Sequence, residues 1–154
     1  MAQGLVVAFF ATMLVVLSVI DIRTRRLPNR IVLPAAAVVL AAHVAIAPDR
    51  AFEWIVAALG AAAVLLVAAL AYPGGLGMGD VKLALLLGAM LGKLVAVGLM
   101  LGMLFALVPS VVLLARHGSA ARKMGIPFAP FLALGAVVAL FVGNELLSAY
   151  LSTF

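Results

Sequence analysis

Leu5-Val6-Val7-Ala8-Phe9-Phe10-Ala11-Thr12-Met13-Leu14-Val15-Val16-Leu17-Ser18-Val19-Ile20-Asp21-Ile22 opens the chain with eighteen positions broken only by Thr12, Ser18 and Asp21. About twenty apolar helical residues, each rising 1.5 Å, span the hydrocarbon of a bilayer. The stretch has that length, and it ends on an acid. Those two features set the expectations for fold and chemistry.

Further runs of the same kind follow. Ile31 to Ala47 is the second, Phe52 to Ala71 the third, Val81 to Leu91 the fourth, Leu94 to Ala115 the fifth and Ile126 to Val142 the sixth. Composition agrees: 68% of residues are hydrophobic and 10% charged, where soluble domains carry about a quarter charged residues. The expected fold is all-α and polytopic, with six transmembrane helices. The fourth run is too short for a bilayer of about 30 Å. It therefore predicts a short fourth helix, preceded by a glycine-rich passage that dips below the surface under protein cover. Residues 1–154 are expected to form one membrane-embedded domain. The N-terminus has no basic segment ahead of its apolar run, so that run is read as a retained span.

The turns carry the charge. If every run crosses, Arg23, Arg25, Arg26, Arg30, Lys82, Arg116, Arg122 and Lys123 share one side, and Arg50 and Lys93 take the other. The positive-inside rule makes the first side cytoplasmic and puts both termini outside. The net charge of +5 thus reports topology and lipid contact, and no aromatic–basic interleaving of the kind that holds nucleic acid is present. The absence of cysteine excludes thiolate metal sites, disulfides and a cysteine nucleophile.

Smaller features are structural. Asn29 is placed to cap the second helix, and Pro34 is expected in its first turn, where a missing N–H costs little. Gly88 and Gly92, like Gly98 and Gly102, have the spacing that lets helices approach closely. His43 lies inside the second span, away from the acids, and reads as a hydrogen-bonded core residue. Pro109 kinks the fifth helix, and His117 is a loop residue.

Five acids exist in all, and two stand apart. Asp21 closes the first span and Asp80 opens the fourth, so three crossings return them to one leaflet. Ionisable groups in such positions face a protein interior or a wet cleft. A close carboxylate pair shares a proton: one member deprotonates water while the other donates to a carbonyl. A helix N-terminus favours a carboxylate and a C-terminus does not, which nominates Asp80 as base and Asp21 as proton holder. The plainer alternatives are a helix-end Asp21 held by Arg23 or Arg25, and an Asp80 that caps its helix.

The passage Gly77-Met78-Gly79-Asp80-Val81-Lys82 resembles the GxGD-x-K motif of type IV prepilin peptidases, membrane aspartyl proteases of pilus and secretion systems. Asp21-Ile22-Arg23-Thr24-Arg25-Arg26-Leu27-Pro28-Asn29 resembles their first aspartate motif. Lys123 to Phe131 is similar to a third family segment, with Ala129 where many members have glycine. The resemblance implies that Asp21 and Asp80 are catalytic and that the active site lies at the cytoplasmic face of a bacterial inner membrane. Gly77, Gly79, Lys82, Pro28 and Asn29 are then supporting or substrate-binding residues. It implies a prepilin or pseudopilin substrate, cut behind its short basic leader, with no cofactor and no metal. The compact chain looks like the peptidase-only form of tight-adherence (Flp-type) pili, without methyltransferase activity. Two other readings stay open: a presenilin-like protease that cuts within helices, and a non-enzymatic assembly or transport component that uses the aspartates as a structural pair.

Overall fold

A computed structural model describes residues 1–154. The fold is all-α. Its helices are α1 (Ala2–Thr24), α2 (Asn29–Ile46), α3 (Ala51–Ala71), α4 (Met78–Leu91), α5 (Val95–His117) and α6 (Ala129–Ser152). Short 3-10 turns at Pro48–Arg50, Gly92–Leu94 and Gly118–Lys123 link neighbouring helices. Five helical stretches are long and apolar enough to cross a membrane, with 78–123 forming one of them.

The helices sort by what they bury. α4 is the centre: from Val81 to Leu91 all but Lys82 and Leu85 are fully buried. Phe10 and Leu17 of α1, Val32 and Val39 of α2, Leu65 of α3 and Leu132 of α6 fill the core around it. The outer surface is as apolar as the inside. Phe52, Leu70, Met100, Leu104, Val108 and Phe141 are all exposed. Water would penalise such a surface by about 25 cal/mol per Å²; lipid does not. The protein is accordingly a multi-pass membrane protein.

Glycine sets the closest approaches. A Cβ on Gly88 would run into the backbone of Ala57 and Ala58 in α3, one on Gly102 would strike α6 at Leu132, and one on Gly98 would strike the Leu91 side chain of α4 while touching α6 at Ala136. Both glycine-bearing faces expected from sequence are therefore packed, and Gly135 of α6 meets Gly98 and Gly102 from the opposite side. Gly92 has φ +54. That conformation costs glycine little and ends α4 before α5 starts.

Several local expectations change. Asn29 is the first residue of α2 and its side chain makes no cap; Pro28 holds the cap position. An extended Pro28 (φ −73, ψ 125) already sets the helix start, which frees the Asn29 amide. Pro34 sits in the second turn of α2, so the Arg30 carbonyl loses its helical donor. α6 runs through Gly143-Asn144-Glu145 to Ser152, because those residues lie on a helix already committed by its apolar faces. The glycine passage is open: Tyr72 to Gly75 are exposed, and Leu76 and Gly79 are the ones that turn inward.

Candidate functional site

Asp21 lies in the last turn of α1. Its carbonyl accepts the N–H of Arg25 at 2.7 Å, and Arg25 closes the helix in the left-handed region with φ 52. Arg25 is the one non-glycine residue with positive φ. The reversal sends Arg26 to Asn29 back across the bundle end. The Asp21 carboxyl is buried, 6% exposed, and its Oδ2 accepts the backbone N–H of Ala129 at 3.0 Å. Ala129 is the first residue of α6, so the positive end of that helix points at the carboxyl.

Asp80 lies in the first turn of α4. Its Oδ2 accepts the N–H of Gly77, the residue before the helix, at 3.3 Å. This is half of a capping box, in which an acid at the third position reaches back. Asp80 is thus not the cap residue, and a single weak acceptor bond leaves its other oxygen available. Neither aspartate joins an ion pair; the one ion pair of the molecule is Arg50–Glu53. The plain reading of Asp21 as a helix-end partner of Arg23 or Arg25 has no counterpart in the structure.

The two turns meet directly. A Cβ on Gly79 would lie 3.0 Å from the Cβ of buried Leu27, so glycine is what lets the first turn close on the second. Lys82 donates to Asn29 Oδ1 across the same seam. A cavity of about 260 Å³ remains between them, lined by Asp21, Asn29, Gly77, Gly79, Asp80 and Lys82 among others. No buried side-chain oxygen or nitrogen lacks a partner. The second oxygen of each carboxyl has no protein donor, so each opens onto this cavity.

Most residues singled out in the sequence come together here. Pro28 does not reach the wall; it shapes the turn from behind. Lys82 engages Asn29 rather than either carboxylate. Sequence reasoning missed three contributors. Leu27 is the knob against Gly79, and Arg25 is the left-handed hinge that also lines the cavity. The Ala129 N–H is the third; a backbone donor carries no side-chain signal, although the Lys123–Phe131 segment had stood out as a motif.

The helix-terminus argument no longer separates the two acids. Asp21 ends α1 yet faces the start of α6, so both carboxyls accept an N–H from a helix N-terminal turn.

Comparison with known proteins bears on the family of the chain. The chain is 33% identical over 148 residues to the prepilin leader peptidase/N-methyltransferase of Bacillus subtilis (strain 168). The alignment covers 92% of this chain and 57% of that protein, so the chain spans little more than half the length of its relative. No solved structure matches it. Residues 8–115, which include both aspartates and both turns, match the type IV leader peptidase family, and the chain belongs to that family.

Proposed function

We propose that this chain is an aspartic endopeptidase that removes the short basic leader from type IV prepilins or pseudopilins, with Asp21 and Asp80 as the catalytic pair. The observation that carries the reading is their convergence: acids far apart in sequence line one cavity, unpaired with any base, each with a free oxygen toward the opening.

Such a pair activates water held between the carboxyls. One carboxylate takes a proton from the water, and the resulting nucleophile attacks the scissile carbonyl. The other, protonated, donates to the carbonyl oxygen. Collapse of the tetrahedral intermediate returns a proton to the leaving amine. The Ala129 N–H fixes the Asp21 carboxyl and the Gly77 N–H fixes Asp80, so little reorganisation is needed during reaction. Each acid accepts one backbone N–H, and the base and acid roles belong to the pair. The cavity suits an extended strand of substrate; Gly77 lines its wall, while Gly79 makes room for Leu27 and so holds the two turns together. Lys82, held by Asn29, keeps a cation at the rim, where it orients the substrate carbonyl.

In this reading six helices cross a bacterial inner membrane, and α4 is the short one. Its 14 residues cover about 21 Å. Support comes from its two ends, since Asp80 borders the cavity just described and Leu91 borders a different one at the far end of the bundle. The basic turns and the aspartates then face the cytoplasm, with both termini outside. The residues act as a single domain, because all three motif segments contribute to one site.

The test is co-expression with a candidate prepilin and measurement of leader removal. Asp21→Asn and Asp80→Asn are each expected to lower cleavage by about 100-fold or more at normal membrane abundance. Retained cleavage in either variant refutes the two-aspartate reading. Cleavage inside the substrate's apolar helix refutes leader removal as the activity.

A further inference from the structure

The end of the bundle remote from the aspartates holds a second polar cavity, of about 450 Å³. It forms where α1 and α3 begin, where α2 and α4 end, and where Lys93 turns the chain into α5. Its wall includes Gln3, His43, Arg50, Glu53, Lys93 and Asn144. None of these takes part in the proposed cleavage.

The cluster is built rather than loosely solvated. The His43 ring stacks on Trp54 with centroids 4.7 Å apart. Its Nδ1 lies 3.0 Å from the Ala89 carbonyl, which only accepts, so Nδ1 donates. The Arg50 guanidinium lies 5.3 Å above the Trp54 ring centre. Arg50 Nε and Nη2 bind both oxygens of Glu53. Glu53 Oε1 also accepts the Lys93 backbone N–H at 3.3 Å. Gly92 permits this closure, since a Cβ there would come within 2.9 Å of Glu53 Oε1.

The charge and hydrogen-bond inventory points to an anion. Both Glu53 oxygens are occupied by Arg50 and Lys93. The Lys93 ammonium has no carboxylate partner, so among the side chains lining the cavity one positive charge is in excess. Arg50 Nη1 and the amides of Gln3 and Asn144 make no protein hydrogen bond, so further donors border the opening. Apolar Met90, Leu91, Leu94 and Leu140 complete the wall, and exposed Phe52 lies on the adjoining surface. A ligand with a compact anionic head and an apolar continuation matches both parts. The volume exceeds what phosphate alone fills and falls within the range of small-molecule sites.

We propose that this cavity binds a phosphate ester, supplied as the headgroup of an anionic phospholipid from the leaflet opposite the aspartates. Lys93 and Arg50 provide the charge, and the apolar wall takes the glycerol and the first methylenes. A bound headgroup would tie the α3 start to the α4–α5 turn, on which the outer end of the central helix rests.

The chain has a single tryptophan, and it forms part of this wall, so its fluorescence reports on this site. The protein in a neutral detergent is titrated with short-chain phosphatidylglycerol, with short-chain phosphatidylcholine and with inorganic phosphate. Phosphatidylglycerol is expected to give a saturable Trp54 change, and Lys93→Gln to weaken it about fivefold, the effect of one cation near a charged surface. Arg116→Gln, a cation at the other end, is expected to leave the titration as in wild type. A response to inorganic phosphate equal to that of the lipid supports the phosphate site and overturns the lipid source. No response to either ligand, an equal response to phosphatidylcholine, or an unchanged titration in Lys93→Gln overturns the proposal. Thermal melting of Lys93→Gln, read at the same tryptophan, separates lost binding from lost folding.

Discussion

Gly135→Ala adds one methyl group at the tightest point of the α5–α6 contact. The new Cβ would lie 2.7 Å from Gly102 Cα and closer still to the Gly102 nitrogen and the Gly98 oxygen. Carbon atoms rest about 3.5–4.0 Å apart, so the two helices must part by roughly 1 Å. A radial gap of about 0.5–1 Å already forfeits a quarter to a half of each dispersion contact. Leu99, Leu132, Ala136 and Ala139, all buried at this end of the core, would lose packing together. Overpacking of this kind costs about 1–3 kcal/mol, and alanine returns up to ~1 kcal/mol through helix propensity. The net loss is up to about 2 kcal/mol. At about 2–4 °C per kcal/mol for a chain of this size, the midpoint falls by up to about 8 °C.

Gly60→Ala is the matched control. It makes the same change inside α3, where a Cβ would meet nothing within 4 Å. Only propensity acts there, so a gain of roughly 0.5–1 kcal/mol is expected. Function should divide the same way. α6 carries the Ala129 N–H that holds Asp21 at 3.0 Å. A helix displaced by about 1 Å stretches that bond, so Gly135→Ala should cleave more slowly even well below its midpoint. The assay is thermal unfolding of the purified protein in detergent, with leader cleavage measured on the same samples. Equal shifts of the same sign in the two variants would falsify the packing argument. Wild-type cleavage by Gly135→Ala would sever the link from α6 to Asp21.

Three other substitutions probe separate contacts. Gly79→Val should abolish most leader cleavage, because its Cβ starts 3.0 Å from Leu27 Cβ, whereas Gly77→Ala, 3.4 Å from Asp80 Oδ2, should be mild; equal activities in a cleavage time course would contradict the seam. Asn29→Ala removes the acceptor of Lys82 and should slow cleavage several-fold at normal abundance, with a loss of stability on the order of 1 kcal/mol; unchanged kinetics would remove Lys82–Asn29 from the site. His43→Leu deletes the bond to the Ala89 carbonyl and the stack on Trp54. It should cost about 1–3 kcal/mol and lower the melting midpoint read by Trp54 fluorescence, and an unaltered midpoint would argue against the buried hydrogen bond.

The membrane habit of the chain was legible from the start. Transfer of apolar side chains into hydrocarbon is a local, additive quantity, so runs such as Leu5–Ile22 declare themselves one by one. The candidate acids were also legible, because an isolated charge beside such a run is costly wherever the run goes. Helix ends were less so: Asn29 had the composition of a cap, yet Pro28 took that place and the Asn29 amide went to Lys82. Gly60 and Gly135 look alike in sequence, and only the neighbouring helix makes one free and the other indispensable. The decisive case is Asp21. Reading along α1 puts it at an unfavourable helix end, while in space it receives the N–H of Ala129, 108 positions away. Propensity and transfer energies belong to segments; hydrogen bonds and steric contacts between helices belong to pairs of segments, and their partners are fixed only once the whole bundle has packed.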